Sequence, residues 1–150
     1  MNITVVAVGK VRERALGDAL ERYGTDILRR GHRLSVLEVP DEPAPEGLNA
    51  QGEEAVREAE AVRMLKQIPL EAVVITLEIG GTLCNTDQFR CRFQALSEKG
   101  RRPVCFLIGG SLGLGKSVRA RSDWALSFSP MTFPHQLMRV ILLEQLNRIV

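Results

Sequence analysis

Apolar positions along the chain gather into five short runs, separated by longer stretches in which apolar and charged residues alternate at helical spacing. Ile3 to Val8 is a β-branched run stopped by Gly9 and reads as a first strand. Val11 to Arg30 carries charge throughout and ends at Gly31, which predicts a helix. Leu34 to Val39, stopped by Pro40, predicts the second strand. Asp41 to Gly47 is acidic and Pro-rich and reads as a solvated connector, with a mobile lid as the alternative. Gln51 to Gln67 places Val56, Met64 and Leu65 among alternating charges, an amphipathic helix ended by Pro69. Ala72 to Leu77 predicts the third strand, with Glu78 to Gly81 as its exit loop, and Thr86 to Lys99 a helix with Asp87 in its first turn. Val104 to Ile108 and Trp124 to Phe128 are the fourth and fifth strands. Pro134 to Val150 closes the chain as a helix with Pro134 at the first helical position.

Short strands alternating with helices predict one α/β domain over residues 1–150, with a mainly parallel sheet and helices on both faces. Leu137, Met138, Val140, Ile141, Leu142, Leu143, Leu146, Ile149 and Val150 are more apolar positions than one core face of the last helix holds, which predicts burial of the excess against a second copy of the chain.

Composition narrows the class. The chain has 150 residues, 45% hydrophobic and 25% charged, as in soluble globular proteins. A net charge of +2 permits nucleic-acid binding without arguing for it. Cys84, Cys91 and Cys105 fit neither a zinc site nor a disulfide framework, so no metal is expected and the setting reads as reducing and cytoplasmic. The opening MNITVVAVGK has no basic leader, and no apolar run approaches a membrane span, so no membrane partner is expected.

Two strands end in loops of small, hydroxylated and Pro residues: Gly109-Gly110 after the fourth, Ser129-Pro130-Met131-Thr132-Phe133-Pro134 after the fifth. Ligands of open α/β sheets bind at the carboxyl ends of strands, so the ligand site is expected there. One motif competes. Gly110 to Ser117 matches G-x-x-x-x-G-K-[ST] and lies between a strand and a helix candidate, the context of a P-loop that cradles nucleotide phosphates. Against it, about a quarter of the chain remains, no later strand ends in an Asp to hold Mg²⁺, and Gly113-Leu114 suits a tight turn packing an apolar side chain.

The segments ITVVAVGK, LEVPDEPAPE, VVITLEIGG, FLIGGSLGL and ALSFSPMTFPHQLMRVILLEQL resemble the SPOUT-superfamily ribosomal large-subunit pseudouridine-N3 methyltransferases, the RlmH family, over nearly the whole chain. The resemblance implies a SPOUT-type fold with a C-terminal trefoil knot, a homodimer, and S-adenosyl-L-methionine as methyl donor. It implies as substrate a pseudouridine in helix 69 of the large-subunit rRNA, presented by the assembled ribosome. The implied cofactor contacts are Leu77, Gly110, Ser129, Pro130, Met131, Thr132, Phe133 and Pro134, with Leu77, Leu126 and Phe133 as apolar walls.

Methyl transfer to the pseudouridine N3 needs loss of a proton. His135, beside the cofactor loop, is the candidate base; Arg148, and with it Arg139, is the candidate for phosphate or the developing anion. Lys10, Arg12, Arg14, Lys116, Arg119 and Arg121 are candidate RNA phosphate contacts. Family members continue the last helix with an aromatic-Arg-Ala pattern and a tail closing in Tyr-His. Here Asn147 stands where a Tyr is usual, Arg148 is kept, and the sequence stops at Val150. A cofactor-binding dimeric relative without methyl transfer is therefore the alternative to the enzyme, and a P-loop nucleotide-binding enzyme the second alternative.

Overall fold

The first apolar run forms the strand Asn2–Val8 (β1), which lies between Arg33–Val39 (β2) and Val104–Ile108 (β4). The computed structural model describes residues 1–150 and completes the sheet with Val73–Leu83 (β3) and Trp124–Ser127 (β5), in the order β2-β1-β4-β3-β5 with every pairing parallel. The helices are Arg14–Arg29 (α1), Ala50–Leu65 (α2), Thr86–Leu96 (α3), Lys116–Arg121 (α4) and His135–Ile149 (α5). No helix is long and apolar enough to cross a membrane.

Strand alternation makes two cores, one on each face of the sheet. Ile3, Val5, Val73, Ile75, Val104 and Phe106 face Ile27 of α1, Phe89 and Phe93 of α3, and Leu142, Leu143, Leu146 and Ile149 of α5. Val6, Val8, Val74, Cys105 and Leu107 face Ala61 and Met64 of α2 and Val118 of α4. Helices therefore cover both faces, as expected. The edge strands are β2, half exposed, and the four-residue β5.

Four local expectations change. The exit loop expected at Glu78–Gly81 is a bulge within a longer strand: pairing with β5 shifts register between Leu77 and Thr82, and both meet Leu126. Gly81 permits this because a Cβ there would stand 2.7 Å from the Ala125 carbonyl oxygen. The first helix starts at Arg14 rather than Val11, after an extended Glu13. Helix α3 stops at Leu96 rather than Lys99, because Glu98, Lys99 and Gly100 turn through positive φ. Pro134 precedes α5 with ψ at 132° instead of occupying its first turn.

The excess of apolar positions on α5 resolves into two faces. Leu142, Leu143, Leu146 and Ile149 are buried within the chain itself, while Leu137, Val140 and Ile141 remain half-buried.

Arg139 is the largest correction. It was expected among anion-binding groups, but its residue is 1% exposed and both of its terminal nitrogens are engaged by the fold. Its Nη1 donates to Glu38 Oε2 at 2.6 Å; its Nη2 donates to the carbonyls of Val8 at 3.0 Å and Gly9 at 2.6 Å. The guanidinium thus ties the start of α5 to the ends of β1 and β2. Arg139→Met should lower the unfolding free energy by about 2 kcal/mol, the cost of buried carbonyls losing their donor less the gain from removing the unpartnered Nε. Urea denaturation measures this; a loss below about 0.5 kcal/mol, the range of neutral surface changes, would contradict the anchoring role.

Candidate functional site

The ends of β4 and β5 lie beside the bulge of β3, and each contributes a wall to one open cleft. From β3 come Leu77, Glu78 and Ile79; from β4 come Ile108, Gly109, Gly110 and Ser111; from β5 and its exit come Leu126, Ser127, Phe128, Ser129, Met131, Thr132 and Phe133. His135 and Met138, in the first turn of α5, close the inner end. Leu77, Gly110, Ser129, Met131, Thr132 and Phe133 therefore meet, as expected from sequence. Pro134 lines the adjoining hollow with Gly110, Thr132 and His135, whereas Pro130 faces neither.

The loop geometry has local causes. Ser127 Oγ lies 3.0 Å from the carbonyls of both Ile79 and Ser129, joining the β3 bulge to the β5 exit. The Met131 N–H donates to Ser129 Oγ at 3.0 Å, which folds the hydroxylated loop back on itself. Gly109 packs against the turn after β4, where a Cβ would meet the Gly113 carbonyl carbon at 2.6 Å. Gly113 has φ at +87°, and Leu114 beyond it is buried. This is the tight turn with an apolar anchor expected from the sequence.

The same turn removes the P-loop reading. A phosphate there would need the N–H groups at the start of α4. The Lys116 N–H already donates to Glu54 Oε1 at 3.3 Å, and Ser117 donates to Glu58 through its N–H at 2.9 Å and its hydroxyl at 2.8 Å. Two carboxylates of α2 occupy the place of the anion. The hydrogen bond from Arg57 holds the Glu54 carboxyl below its usual range, so it carries a full negative charge at neutral pH. The Lys116 side chain is exposed.

His135 lies where the cleft meets a second, polar hollow that it also lines. Burial lowers its pKa below 6.5 and the Arg139 guanidinium lowers it further, with Asp41 partly offsetting them. The imidazole is therefore neutral at pH 7 and available to accept a proton. Arg148 is not brought to the cleft: it is exposed near the far end of α5, pairs with Glu144, and stands about 20 Å along the helix from His135. Among the candidate phosphate contacts, Arg121 is committed to Asp123 and the Ala72 carbonyl and Arg14 lies beside Asp18, while Lys10 and Arg12 line the polar hollow. Sequence reading missed Glu54, Glu58 and Glu60, whose spacing on α2 reads only as a charged face.

Comparison with known proteins gives the family. A family model described as predicted SPOUT methyltransferase matches residues 1–150. The ribosomal RNA large subunit methyltransferase H of Finegoldia magna is 44% identical over 148 residues, and that of Alkaliphilus oremlandii 43%; each match covers 99% of this chain and 92% of the relative. Among solved structures, the SpoU methyltransferase AviRb from Streptomyces viridochromogenes, in complex with the cofactor AdoMet, aligns with a TM-score of 0.48 at 14% identity, over 98% of this chain and 57% of that one.

The His135 environment makes a measurable prediction. NMR titration of the imidazole should give a midpoint below 6.5, assigned with His135→Gln. Between that midpoint and the unfolded value the unfolded chain binds more protons, so stability should fall as pH drops through this window and the variant should lose less. A midpoint at or above 6.5 would contradict the placement.

Proposed function

The chain belongs to the SPOUT methyltransferases, among the ribosomal RNA large subunit methyltransferases H, and from that premise we propose that it transfers a methyl group from S-adenosylmethionine to N3 of a pseudouridine in helix 69 of the large-subunit rRNA. The observation that carries this reading is the convergence of the β4 and β5 exits and the β3 bulge on one cleft that a neutral imidazole also lines.

The residues suit the donor. Leu77, Leu126 and Phe133 offer apolar walls to a purine, and the backbone N–H and carbonyl groups of Thr132 and Phe133 are placed for its polar edge. Gly110 lets the cofactor approach the β4 exit closely. When bound, the sulfonium supplies an already activated methyl group. The chain's own task is to align the acceptor and remove a proton: His135 accepts the N3 proton as the nitrogen lone pair takes the methyl carbon. The donor would depart as a neutral thioether, its C–S bonding pair going to sulfur.

The same reading includes a C-terminal trefoil knot, work in the cytoplasm on ribosomes, and a homodimer. Its dimer contact is the half-buried strip Leu137, Val140 and Ile141, the only part of the α5 excess that its own core leaves uncovered. Lys10 and Arg12, beside the site, are the RNA phosphate contacts this reading retains. A relative that binds the cofactor without transferring the methyl group is the second reading, favoured by the distance of Arg148 from the cleft.

Two measurements test these proposals. Ribosomes incubated with the protein and methyl-labelled S-adenosylmethionine should gain one label, mapped by mass spectrometry to N3 of a helix 69 pseudouridine. Cofactor binding with no label would establish the second reading instead. Small-angle scattering should show a dimer for the native chain and a monomer for Ile141→Asp; a dimer for both would reject the strip.

A further inference from the structure

Strand β4 is flanked by two crevices, and only one of them is used by the donor site. The chain leaves β1 and β3 for helices on one face of the sheet, and leaves β4 for α4 on the other. Neighbouring strands whose connections part in this way open a crevice at their carboxyl ends. The β3–β4 crevice is the cleft described above. The β1–β4 crevice is a polar hollow of about 280 Å³, and it shares Gly110, Ser111 and His135 with the cleft.

Glu60 of α2 stands in the wall of this hollow, with only 5% of its surface exposed. Its Oε2 accepts the Glu42 N–H at 3.1 Å, while its Oε1 has no hydrogen-bond partner within the chain. Both oxygens lie against the β4 exit: a Cβ at Gly110 would stand 3.2 Å from each. Burial raises the pKa of this carboxyl, the Glu42 N–H draws it back, and Asp41 raises it again. Oε1 keeps contact with the solvent of the hollow, so it is free to accept a hydrogen bond from a ligand there. Lys10 and Arg12 line the same hollow with Asp41 and Glu42, the latter paired with Arg63, and the two cations suit the phosphates flanking a nucleotide.

We propose that this hollow receives the acceptor base, and that Glu60 Oε1 accepts a hydrogen bond from the ring N1–H that pseudouridine has and uridine lacks. The inference rests on the methyl-transfer reading and adds to it the group that recognises the substrate. In pseudouridine the sugar is attached through C5, so N1 and N3 both carry hydrogen and flank C2. One ring can therefore present N3 to His135 and the methyl donor, and N1 to Glu60. In uridine N1 carries the sugar and has no hydrogen to give. Glu60 is a specificity-determining group here, while the transferred proton goes to His135.

Glu60→Gln tests this with almost no change of shape. The Glu42 N–H holds the oxygen facing it, so the amide oxygen takes that place and the amide NH₂ turns into the hollow, a donor facing a donor. Methyl transfer is measured on two ribosome preparations, one with pseudouridine at the helix 69 position and one from cells lacking the synthase that makes it. The native chain should prefer the pseudouridine particle. The variant should lose about tenfold or more in kcat/KM on that particle, as expected for a hydrogen bond to a charged group. It should change little on the uridine particle and keep its S-adenosylmethionine affinity by calorimetry. A preference that survives in the variant overturns the proposal. Equal losses on both particles, or weakened cofactor binding, also overturn it and make Glu60 a structural group. No transfer by the native chain to either particle overturns the methyl-transfer reading and this inference with it.

Discussion

The buried guanidinium of Arg139 is the contact on which the site depends. It reaches from the first turns of α5 to the carbonyls that end β1 and to Glu38 of β2. Glu38 Oε2 also accepts the Val11 N–H at 3.3 Å, and the Arg12 N–H donates to Gln136 of α5 at 3.1 Å. One set of polar contacts thus fixes the β1 exit, the start of α5 and His135 between them. Charge is expensive to bury, and it persists here because the Glu38 carboxylate and the Val8 and Gly9 carbonyls accept its hydrogen bonds. The apolar core positions the sheet; this polar set of contacts positions His135, which lines the cleft.

The turn after β4 shows how a sequence motif can match while its chemistry does not. A phosphate loop works because unpaired N–H groups at a helix start await an anion. Here the anions are Glu54 and Glu58, from a helix about sixty residues earlier in the chain. Their carboxylates make α2 and α4 one unit and set the height of the β4 exit. The Gly-Lys-Ser spelling serves close packing: a Cβ at Gly115 would stand 2.6 Å from Glu58 Oε1.

Most of the fold was legible because strands and helices announce themselves by local periodicity. All five strands and the burial of Cys105 follow from apolar runs that end at Gly, Pro or polar residues. The cleft was legible through the small and hydroxylated residues at strand ends, and six of the residues that the resemblance pointed to line it. What escaped were pairings across long separations. Arg139 looks like any helix-surface arginine until the β1 carbonyls are beside it. Glu60 looks like one more charge on α2 until Gly110 packs on it. Arg148 was drawn to the site by resemblance, and helix length alone keeps it away within one chain. The asparagine cap of α3, Asn85 with Gln88, was readable in principle, since the two stand at capping-box spacing just before an apolar face.

A ligand held against the β4 and β5 exits and one held on the Gly-Lys-Ser turn respond differently to substitution. Calorimetric titration of S-adenosylmethionine and of Mg-ATP into the native chain, Gly110→Val and Lys116→Ala separates the two. A valine at Gly110 would crowd Val8 and Glu60, 3.1 and 3.2 Å from its Cβ, and so displace the β4 exit that lines the cleft. The account predicts S-adenosylmethionine binding that Gly110→Val abolishes and Lys116→Ala leaves unchanged, with no heat from Mg-ATP. Binding of Mg-ATP that Lys116→Ala removes, with S-adenosylmethionine giving none, would contradict it.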